Sequence, residues 1–334
     1  MASWADASEI ATQIGTATDT VSNLAWSWSG EQLAYGCWDG SAGVYKWSQW
    51  GEVALLFSLN LDDWILSVAW GPGDAWVAFG CTSGWIHVYS IPSGSPQLMK
   101  KFQAHAAPVS CLAFSDLKNT LVSASWDSTA RYWGESPDFS CLGTIALPQR
   151  AYCMDLRKQC CVIALAPSKL SSSVALLEVG QLSIVKLIPS PLKYQLRSIA
   201  LFADGKGFLL ASIEGRCAIV HIHDSKGDFI FKCHRNAAQN SIHAVNCIAV
   251  HKLGTFATAG GDGTYSFWDK DSRTRLKAFP ARSAPITSAT FNLQGNRFAF
   301  ATGEDWQSGA PTTTIPTLIY YQSVGTEIKP KAKN

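Results

Sequence analysis

The stretch LVSASWDSTARYW, residues 121–133, contains two short apolar runs separated by a turn with a Trp-Asp pair. The first run is rich in small and β-branched residues, and the second, ARYW, ends in two aromatic residues. Short runs of this kind on either side of an Asp and Ser turn predict two β-strands. One pair of strands does not identify a fold, so the deciding question is whether the pattern repeats.

The same turn recurs along the whole chain at a nearly constant interval. The turn residues are Asp39, Ser83, Asp127, Glu214, Asp262 and Asp305, separated by 44, 44, 87, 48 and 43 residues. The interval of 87 equals two periods, which predicts a hidden repeat with its turn at Ser171–Ser173. A fixed period of this length is typical of repeat-built folds.

Four short strands in each unit of about 40 to 45 residues, together with Trp-Asp pairs, predict an all-β, seven-bladed WD-repeat β-propeller. We expect one domain, residues 1–334, with the segment SEIATQI (8–14) closing the ring as an added strand of the last blade. The blades are expected to begin near residues 20, 62, 105, 149, 192, 243 and 284. In the third blade, His105, Asp127 and Trp133 occupy the positions of the hydrogen-bonded residues of such repeats, which predicts a structural role for them.

The composition fits a large packed core and offers no global electrostatic signal. The chain is 47% hydrophobic and 16% charged, with a net charge of +2. Its ten cysteines are scattered without a Cys-x-x-Cys pair, which favours a reducing compartment. No apolar segment reaches transmembrane length, so we expect no membrane partner and no secretion. Any electrostatic function must therefore come from local clusters.

Catalytic and metal-binding patterns are weak. His221 and His223 share a strand face, but no third ligand stands at a suitable spacing, and the same holds for Cys233 and His234. The GGDG turn at residues 260–263 lacks the following lysine and helix of a phosphate-binding loop. No nucleophile elbow is present. We expect no enzyme activity, no cofactor and no metal.

One charged stretch stands out in the near-neutral chain, YSFWDKDSRTRLKAF at residues 265–279. We interpret Tyr265–Trp268 as the outermost strand of blade six, which puts Lys270, Arg273 and Arg275 in the connection to blade seven. We likewise place FIFKCHR (229–235) in the connection from blade five to blade six. Because strands alternate in direction, these connections share a face with the turn that precedes Arg216. The expected sector contains Arg216, Phe231, Lys232, Arg235, Trp268, Lys270, Arg273 and Arg275. Arginine suits carboxylate or phosphate, and exposed aromatic rings suit a peptide side chain or a base, so both ligand classes stay open.

Several longer motifs resemble one family. LPQRAYCMD (147–155), SIEGRCAIVHI (212–222), FKCHR (231–235), the segment 254–279 and FNLQGNRFAFATGEDW (291–306) are similar to the nuclear-pore-associated mRNA export propellers. The spindle-checkpoint propeller shares some of these motifs and is the alternative. The resemblance covers all seven blades and is weakest in the tryptophan-rich first third.

The resemblance implies an adaptor of the nucleus and nuclear pore that shuttles to the cytoplasm. It implies that Arg216, Lys232, Arg235 and Trp38 bind the GLEBS segment of a GLFG-repeat nucleoporin. It also implies that Phe231, Trp268, Lys270, Arg273 and Arg275 form a side patch for single-stranded RNA or a messenger ribonucleoprotein. A checkpoint adaptor would instead bind GLEBS-like motifs of mitotic checkpoint proteins, and a third hypothesis is direct RNA binding with the peptide groove secondary.

Two features stay open at this stage. The chain ends in a basic C-terminal tail, residues 325–334; its last part, KPKAKN (329–334), could be a nucleic-acid or import signal, but we expect a short solvated terminus. Trp126 and Trp306 stand beside turns and could either form ligand platforms or cover the joints between blades.

Overall fold

The computed structural model describes residues 11–91, 95–134, 136–168, 172–306, 309 and 315–331. Seven four-stranded antiparallel sheets form the blades of a β-propeller. The predicted seven-bladed fold is therefore confirmed. The 3-10 helices are single turns at Pro72–Asp74, Ser225–Gly227 and Thr326–Ile328. No helix within the described ranges is long or apolar enough to cross a membrane.

The strands follow the chain blade by blade, except that the first strand, β1 (Thr12–Ala17), belongs to the last blade. Blades one to three are β2 (Val21–Trp26), β3 (Gln32–Cys37), β4 (Ser41–Trp47), β5 (Val53–Asn60); β6 (Ile65–Trp70), β7 (Trp76–Cys81), β8 (Trp85–Ser90), β9 (Gln97–Gln103); and β10 (Cys111–Ser115), β11 (Thr120–Ala124), β12 (Thr129–Trp133), β13 (Cys141–Ala146). Blades four and five are β14 (Ala151–Arg157), β15 (Cys160–Leu165), β16 (Ser173–Glu178), β17 (Ile184–Pro189); and β18 (Leu196–Leu201), β19 (Gly207–Ser212), β20 (Arg216–His221), β21 (Phe229–Lys232). A small hairpin, β22 (Arg235–Asn236) and β23 (Ser241–Ile242), precedes blade six, which is β24 (Val245–Val250), β25 (Phe256–Gly260), β26 (Tyr265–Asp269), β27 (Thr274–Phe279). Blade seven contains β28 (Ile286–Phe291), β29 (Arg297–Thr302) and β30 (Thr317–Ser323) together with β1.

The N-terminal strand closes the ring, as predicted. β1 pairs antiparallel with β30, from Thr12 opposite Tyr321 to Ala17 opposite Thr317. The strand begins later than the predicted segment 8–14, of which residues 8–10 lie outside the described part of the chain. The predicted turn of blade four also falls partly outside, at Ser171, while Ser173 already belongs to β16. The innermost strands of neighbouring blades touch all the way round, including β2 and β28.

The hydrophobic core lies in the seams between blades rather than within one blade. The seam between blades seven and one, for example, joins Leu33 and Tyr35 to Ala301 and Ile319, all buried. Corresponding clusters fill the other six seams. Each blade therefore depends on both neighbours to cover its faces, as in other stacked repeats.

A chain of hydrogen bonds crosses blade three and explains its sequence signature. The Trp133 indole donates to Ser123 Oγ (2.8 Å), Ser123 lies 2.7 Å from His105 Nε2, and His105 Nδ1 lies 3.0 Å from Asp127 Oδ2. Burial lowers the pKa of His105, despite the opposing effect of Asp127. A neutral His105 that carries its proton on Nδ1 gives each of these groups a partner. The predicted structural roles of His105, Asp127 and Trp133 agree with these contacts.

A recurring bulge shapes the channel. In the innermost strand of six blades, one residue near the start is skipped in the pairing with the second strand. The skipped residues are Ser22, Leu66, Tyr152, Arg197, Asn246 and Thr287, and all six line one cavity at the channel mouth. A bulge re-aims the side chain at which it occurs. The repeat thus places one side chain from each of these blades at the mouth.

The C-terminal tail packs against the propeller just before KPKAKN, whose described residues, Lys329, Pro330 and Lys331, are exposed. Ile328 is buried and packs into the cluster between blades six and seven. The Lys331 amide approaches Asp269 Oδ2 at 3.4 Å, which brings the tail beside the end of β26. Ile328 is an apolar residue just before the basic end of the tail, and the basic composition of the tail gave no indication that it packs. Residues 332–334 lie outside the described part of the chain.

The hydrogen-bond chain of blade three can be tested with Ser123→Ala. The substitution removes the hydroxyl between the Trp133 and His105 rings and leaves buried nitrogen atoms without partners. We expect the free energy of unfolding to fall by about 2 to 3 kcal/mol, as measured by urea denaturation. Ser140→Ala, at an exposed serine of the same blade, serves as the control with a change below about 0.5 kcal/mol. Equal midpoints for the two variants would contradict the assignment.

Candidate peptide and nucleic-acid interface

The charged stretch 265–279 does not lie where sequence reasoning placed it. Tyr265–Asp269 is β26, the third strand of blade six, and the basic segment Thr274–Phe279 is β27, the outermost strand. Lys270 and Arg273 therefore stand in the turn between the third and fourth strands. That turn lies on the face opposite the second-to-third-strand turns, because adjacent strands run antiparallel. The prediction that these residues share a face with Arg216 was wrong.

The sequence analysis also misassigned FIFKCHR (229–235) by one strand, because it placed this segment in the connection after the fourth strand of blade five. Phe229–Lys232 is β21, the outermost strand of blade five, and only Cys233 and the residues after it form the connection. An outermost strand has one neighbour instead of two and a solvent-facing side, so its sequence is more polar than that of an inner strand. Both outer strands alternate exposed residues with partly buried ones. This composition is the reason that they were interpreted as loops.

The structure divides the predicted sector into two groups, the first of which we call the basic trio: Arg216, Lys232 and Arg235. Arg216 and Lys232 are direct cross-strand partners at the adjoining ends of β20 and β21. Arg235 donates to the backbone carbonyls of Gly215 (3.1 Å) and Glu214 (2.6 Å), which fixes its guanidinium beside the turn. Arg216 Nε lies 3.4 Å from Glu214 Oε2. Lys232 and Arg235 form no ion pair within the described residues, which leaves an excess of positive charge here.

The second group, which we call the side patch, covers the seam between blades five and six: Phe231, Trp268, Lys270, Arg273 and Arg275. The Phe231 and Trp268 rings lie 4.8 Å apart, and the Arg275 guanidinium lies 5.9 Å from the Trp268 ring. The Arg273 guanidinium lies 4.6 Å above a further ring, that of Phe229. Arg273 and Arg275 thus sit on aromatic faces, an arrangement that holds them in place while their side chains stay exposed. Lys270 instead pairs with Asp271 at 2.7 Å, and its side chain is only 14% exposed.

Trp268 also has a structural role that sequence reasoning missed. Its indole donates to Thr258 Oγ1 (2.9 Å), which lies 3.0 Å from His234 Nε2, and His234 Nδ1 lies 2.8 Å from Asp262 Oδ1. Blade six thus repeats the hydrogen-bond chain of blade three. Burial raises the pKa of Asp262, but the hydrogen bonds from His234 and Thr264 and the electrostatic effect of His234 together outweigh it, so the net pKa is lowered. The signal was present in the sequence, because Thr258, Asp262 and Trp268 have the spacing of their counterparts in blade three. The histidine stands 24 residues before Thr258, against 18 residues between His105 and Ser123.

Trp38 lies apart from the basic trio. It stands in the turn between β3 and β4 of blade one, on the same face of the disc, but it lines the channel mouth. Trp126 and Trp306, whose roles the sequence left open, line the same cavity. The three tryptophans therefore form part of a ligand-sized cavity instead of covering joints between blades.

The histidines weighed as metal ligands have other partners. His221 Nδ1 lies 2.9 Å from Asp228 Oδ1, and His223 lies beyond the end of its strand. A different group, Asp63, Cys81 and His87, brings its donor atoms within 4.8 Å of one another. Burial raises the pKa of the Cys81 thiol and lowers that of His87, so the thiol stays protonated and the ring neutral. We interpret this group as packing within blade two.

Comparison with known proteins fits this geometry. The family described as "WD domain, G-beta repeat" matches residues 96–134 and 229–269, the two segments that hold the complete hydrogen-bond chains. A protein of Schizosaccharomyces pombe named Poly(A)+ RNA export protein is 37% identical over 327 residues, covering 94% of this chain and 91% of that protein. The chain belongs to the WD40 propeller family of mRNA export factors.

Other members of the export-factor family are similar over nearly the same length. The mRNA export factor GLE2 of Chaetomium thermophilum is 34% identical, with 90% of this chain and 85% of that protein covered. Protein Rae1 of Drosophila melanogaster is 34% identical, with 94% and 93% covered. Among solved structures, the RRP9 WD40 repeats superpose with a TM-score of 0.76 over 93% of this chain and 96% of that chain. At 17% identity, this last likeness concerns the fold alone.

Proposed function

We propose that this protein is a non-enzymatic adaptor in mRNA export, which binds the acidic GLEBS segment of a GLFG-repeat nucleoporin through the basic trio. The observation that carries the proposal is the cross-strand pair of Arg216 and Lys232, with Arg235 held beside it. Membership of the export-factor family gives the process in which the adaptor acts.

The geometry of the basic trio suits a pair of adjacent carboxylates. Directly opposite residues of an antiparallel pair hold their side chains about 4.5 to 5.5 Å apart at Cβ, close to the spacing of neighbouring acidic side chains on a bound strand. Arg216 is already oriented by Glu214, so an incoming carboxylate would meet a preset guanidinium. The exposed Lys232 adds a second positive charge without giving up an ion pair among the described residues.

We further propose that the side patch binds single-stranded RNA. Its guanidinium groups suit phosphate, and the Phe231 and Trp268 rings suit stacked bases. Lys329 and Lys331 of the tail are exposed and extend the positive charge, since Lys331 lies beside Asp269 at the end of β26. The basic trio and the side patch lie on different surfaces, so peptide and RNA could be bound together.

An adaptor that binds a nucleoporin and RNA would work in the nucleus and at the nuclear pore, and would shuttle to the cytoplasm with its cargo. A ring of the same architecture could serve the spindle checkpoint by binding equivalent acidic segments of checkpoint proteins. We favour export because the similar proteins reported above bear export names.

The peptide proposal is tested with Lys232→Glu. Binding of a fluorescent nucleoporin GLEBS peptide, followed by anisotropy, should weaken by about 10- to 100-fold, because a favourable charged contact becomes a repulsive one. Lys226→Glu makes the same charge change on the opposite face of the same blade and should leave the affinity within about twofold. Unchanged peptide affinity in the Lys232→Glu variant would contradict the assignment of the peptide site to the basic trio.

A second peptide separates export from checkpoint function. Wild-type protein should bind the nucleoporin GLEBS peptide more tightly than a GLEBS-like peptide of a mitotic checkpoint kinase. A clear preference for the kinase peptide would replace the export proposal by the checkpoint one. Because both peptides are acidic, both should lose affinity in the Lys232→Glu variant.

The RNA proposal predicts a specific salt dependence. Changing Lys270, Arg273 and Arg275 to Ala together should weaken oligouridine binding and make the plot of log affinity against log salt shallower by about 2, since each phosphate contact contributes about 0.7 for single strands. Trp268 is left intact because its indole holds the blade.

The control removes three exposed lysines elsewhere on the same side of the disc, namely Lys46, Lys118 and Lys158. Lys46 lies near the end of β4 in blade one, and the other two lie in the turns between the first and second strands of blades three and four. If the two triple variants change the slope of log affinity against log salt equally, RNA binds the basic surface non-specifically, and the side patch is not its site.

A further inference from the structure

The mouth of the central channel is a cavity that the peptide and RNA proposals leave unexplained. It is a cavity of about 720 Å³ on the face that carries the second-to-third-strand turns. Volumes of about 300 to 1,000 Å³ are usual for ligand pockets. The bulged residues of six blades form its wall, and turns from several blades form its rim. Its position on the ring axis separates it from the basic trio at the edge of blade five.

Five aromatic side chains surround this cavity: Trp38, Trp64, Trp126, Tyr152 and Trp306. Several tryptophans elsewhere pack against other rings, as Trp133 does against Phe102 at 4.8 Å. Among the described residues, none of the five cavity rings makes such a contact, and the indole N–H groups of Trp38, Trp64 and Trp126 donate no hydrogen bond. Trp64 keeps 57% and Trp306 54% of its surface exposed. The rings therefore offer open faces to a ligand.

The described residues that line this cavity carry more negative than positive charge. Asp19, Glu304 and Asp305 lie at the junction of blades seven and one, and Arg197 of blade five is the one basic residue among those described residues. Arg197 reaches Asn246 Oδ1 at 3.4 Å, and the Asn246 amide donates to Asp305 Oδ2 at 3.2 Å. Open aromatic faces and carboxylates both attract cations, the first through the ring quadrupole and the second through charge.

We propose that the channel mouth binds a cationic side chain, lysine or arginine, presented by a protein segment that lies across this face. The aliphatic stem would lie against Trp38 and Trp126, and the charged end would approach the carboxylates. A protein segment is favoured over a free small cation because the cavity opens onto the same face as the basic trio, so that one segment could contact both. The two sites have opposite charge, which would fix the direction of such a segment.

The test uses protein labelled with 5-fluorotryptophan, so that each ring reports separately by 19F NMR. Acetylated pentapeptides of alanine with a central lysine, trimethyllysine or arginine should shift the resonances of Trp38 and Trp126, assigned by single substitutions. The resonance of Trp50, which is 81% exposed in the turn between β4 and β5 on the other face, should not move. Central norleucine, which has a lysine-like stem without charge, and central glutamate should cause no shift.

Trp126→Leu should lower the affinity for the lysine peptide by about 3- to 30-fold, the range expected for the loss of one cation–π contact. Asp19→Asn should also weaken it, whereas Trp50→Leu should have no effect. Equal shifts with the norleucine peptide, or no shift with any cationic peptide at about 10 mM, would overturn the proposal. The relative affinities of the lysine and arginine peptides identify the preferred side chain.

The result is independent of the proposed function. Lys232→Glu should weaken binding of the acidic GLEBS peptide by about 10- to 100-fold and leave binding of the lysine peptide unaffected. In the Trp126→Leu variant, the lysine peptide should cause only small 19F shifts of the remaining rings. If the nucleoporin peptide does not bind, the adaptor proposal is contradicted and the cation-site proposal is unaffected. If the lysine peptide causes no shift, the cation-site proposal is contradicted and the adaptor proposal is unaffected.

Discussion

The pairing of β1 with β30 is the contact on which the rest of the propeller depends. It joins the two ends of the chain, gives blade seven its outer strand and leads Asp19 and Thr20 directly to the channel mouth. Because each core cluster is shared by two blades, an open ring would leave two apolar blade faces exposed to water. Closure thus converts seven weak sheets into one structure, and the channel mouth exists only in the closed form.

The period of the sequence predicted the architecture well because it reports a physical unit. A blade needs four strands and their turns, so its length is fixed within a few residues, and the innermost strands begin close to the expected positions, such as Val21 and Ile286. The failures share a cause as well. β21 and β27 are outermost strands with one neighbour, and their exposed basic residues looked like loops. A bulge skips one residue without altering the composition, so the convergence of Tyr152, Arg197 and Asn246 on the mouth could not be read from the chain.

The corrected strand assignment changes what the positive charge can do. On one shared face, the basic trio and the side patch would compete for a single acidic ligand or form one long groove. With their charged groups at opposite ends of the strands, the two groups could contact separate ligands. The aromatic rings beneath Arg273 and Arg275 reinforce this independence, since they hold the two guanidinium groups at the blade seam. A near-neutral protein can therefore present two cationic sites without a global attraction for polyanions.

The face that carries the trio is not uniformly basic, and this matters for recognition. Its centre holds carboxylates among open aromatic rings, while its edge at blade five holds Arg216, Lys232 and Arg235. A segment that is acidic throughout would be repelled at the centre, and one that is basic throughout would be repelled at the edge. Specificity often comes from such unfavourable alternatives as much as from attractive contacts. The turns and connections at this face supply the carboxylates and tryptophans of the centre, and the bulges of six blades line the wall beneath them. The charge pattern of this face is therefore a consequence of how the strands of the blades pair.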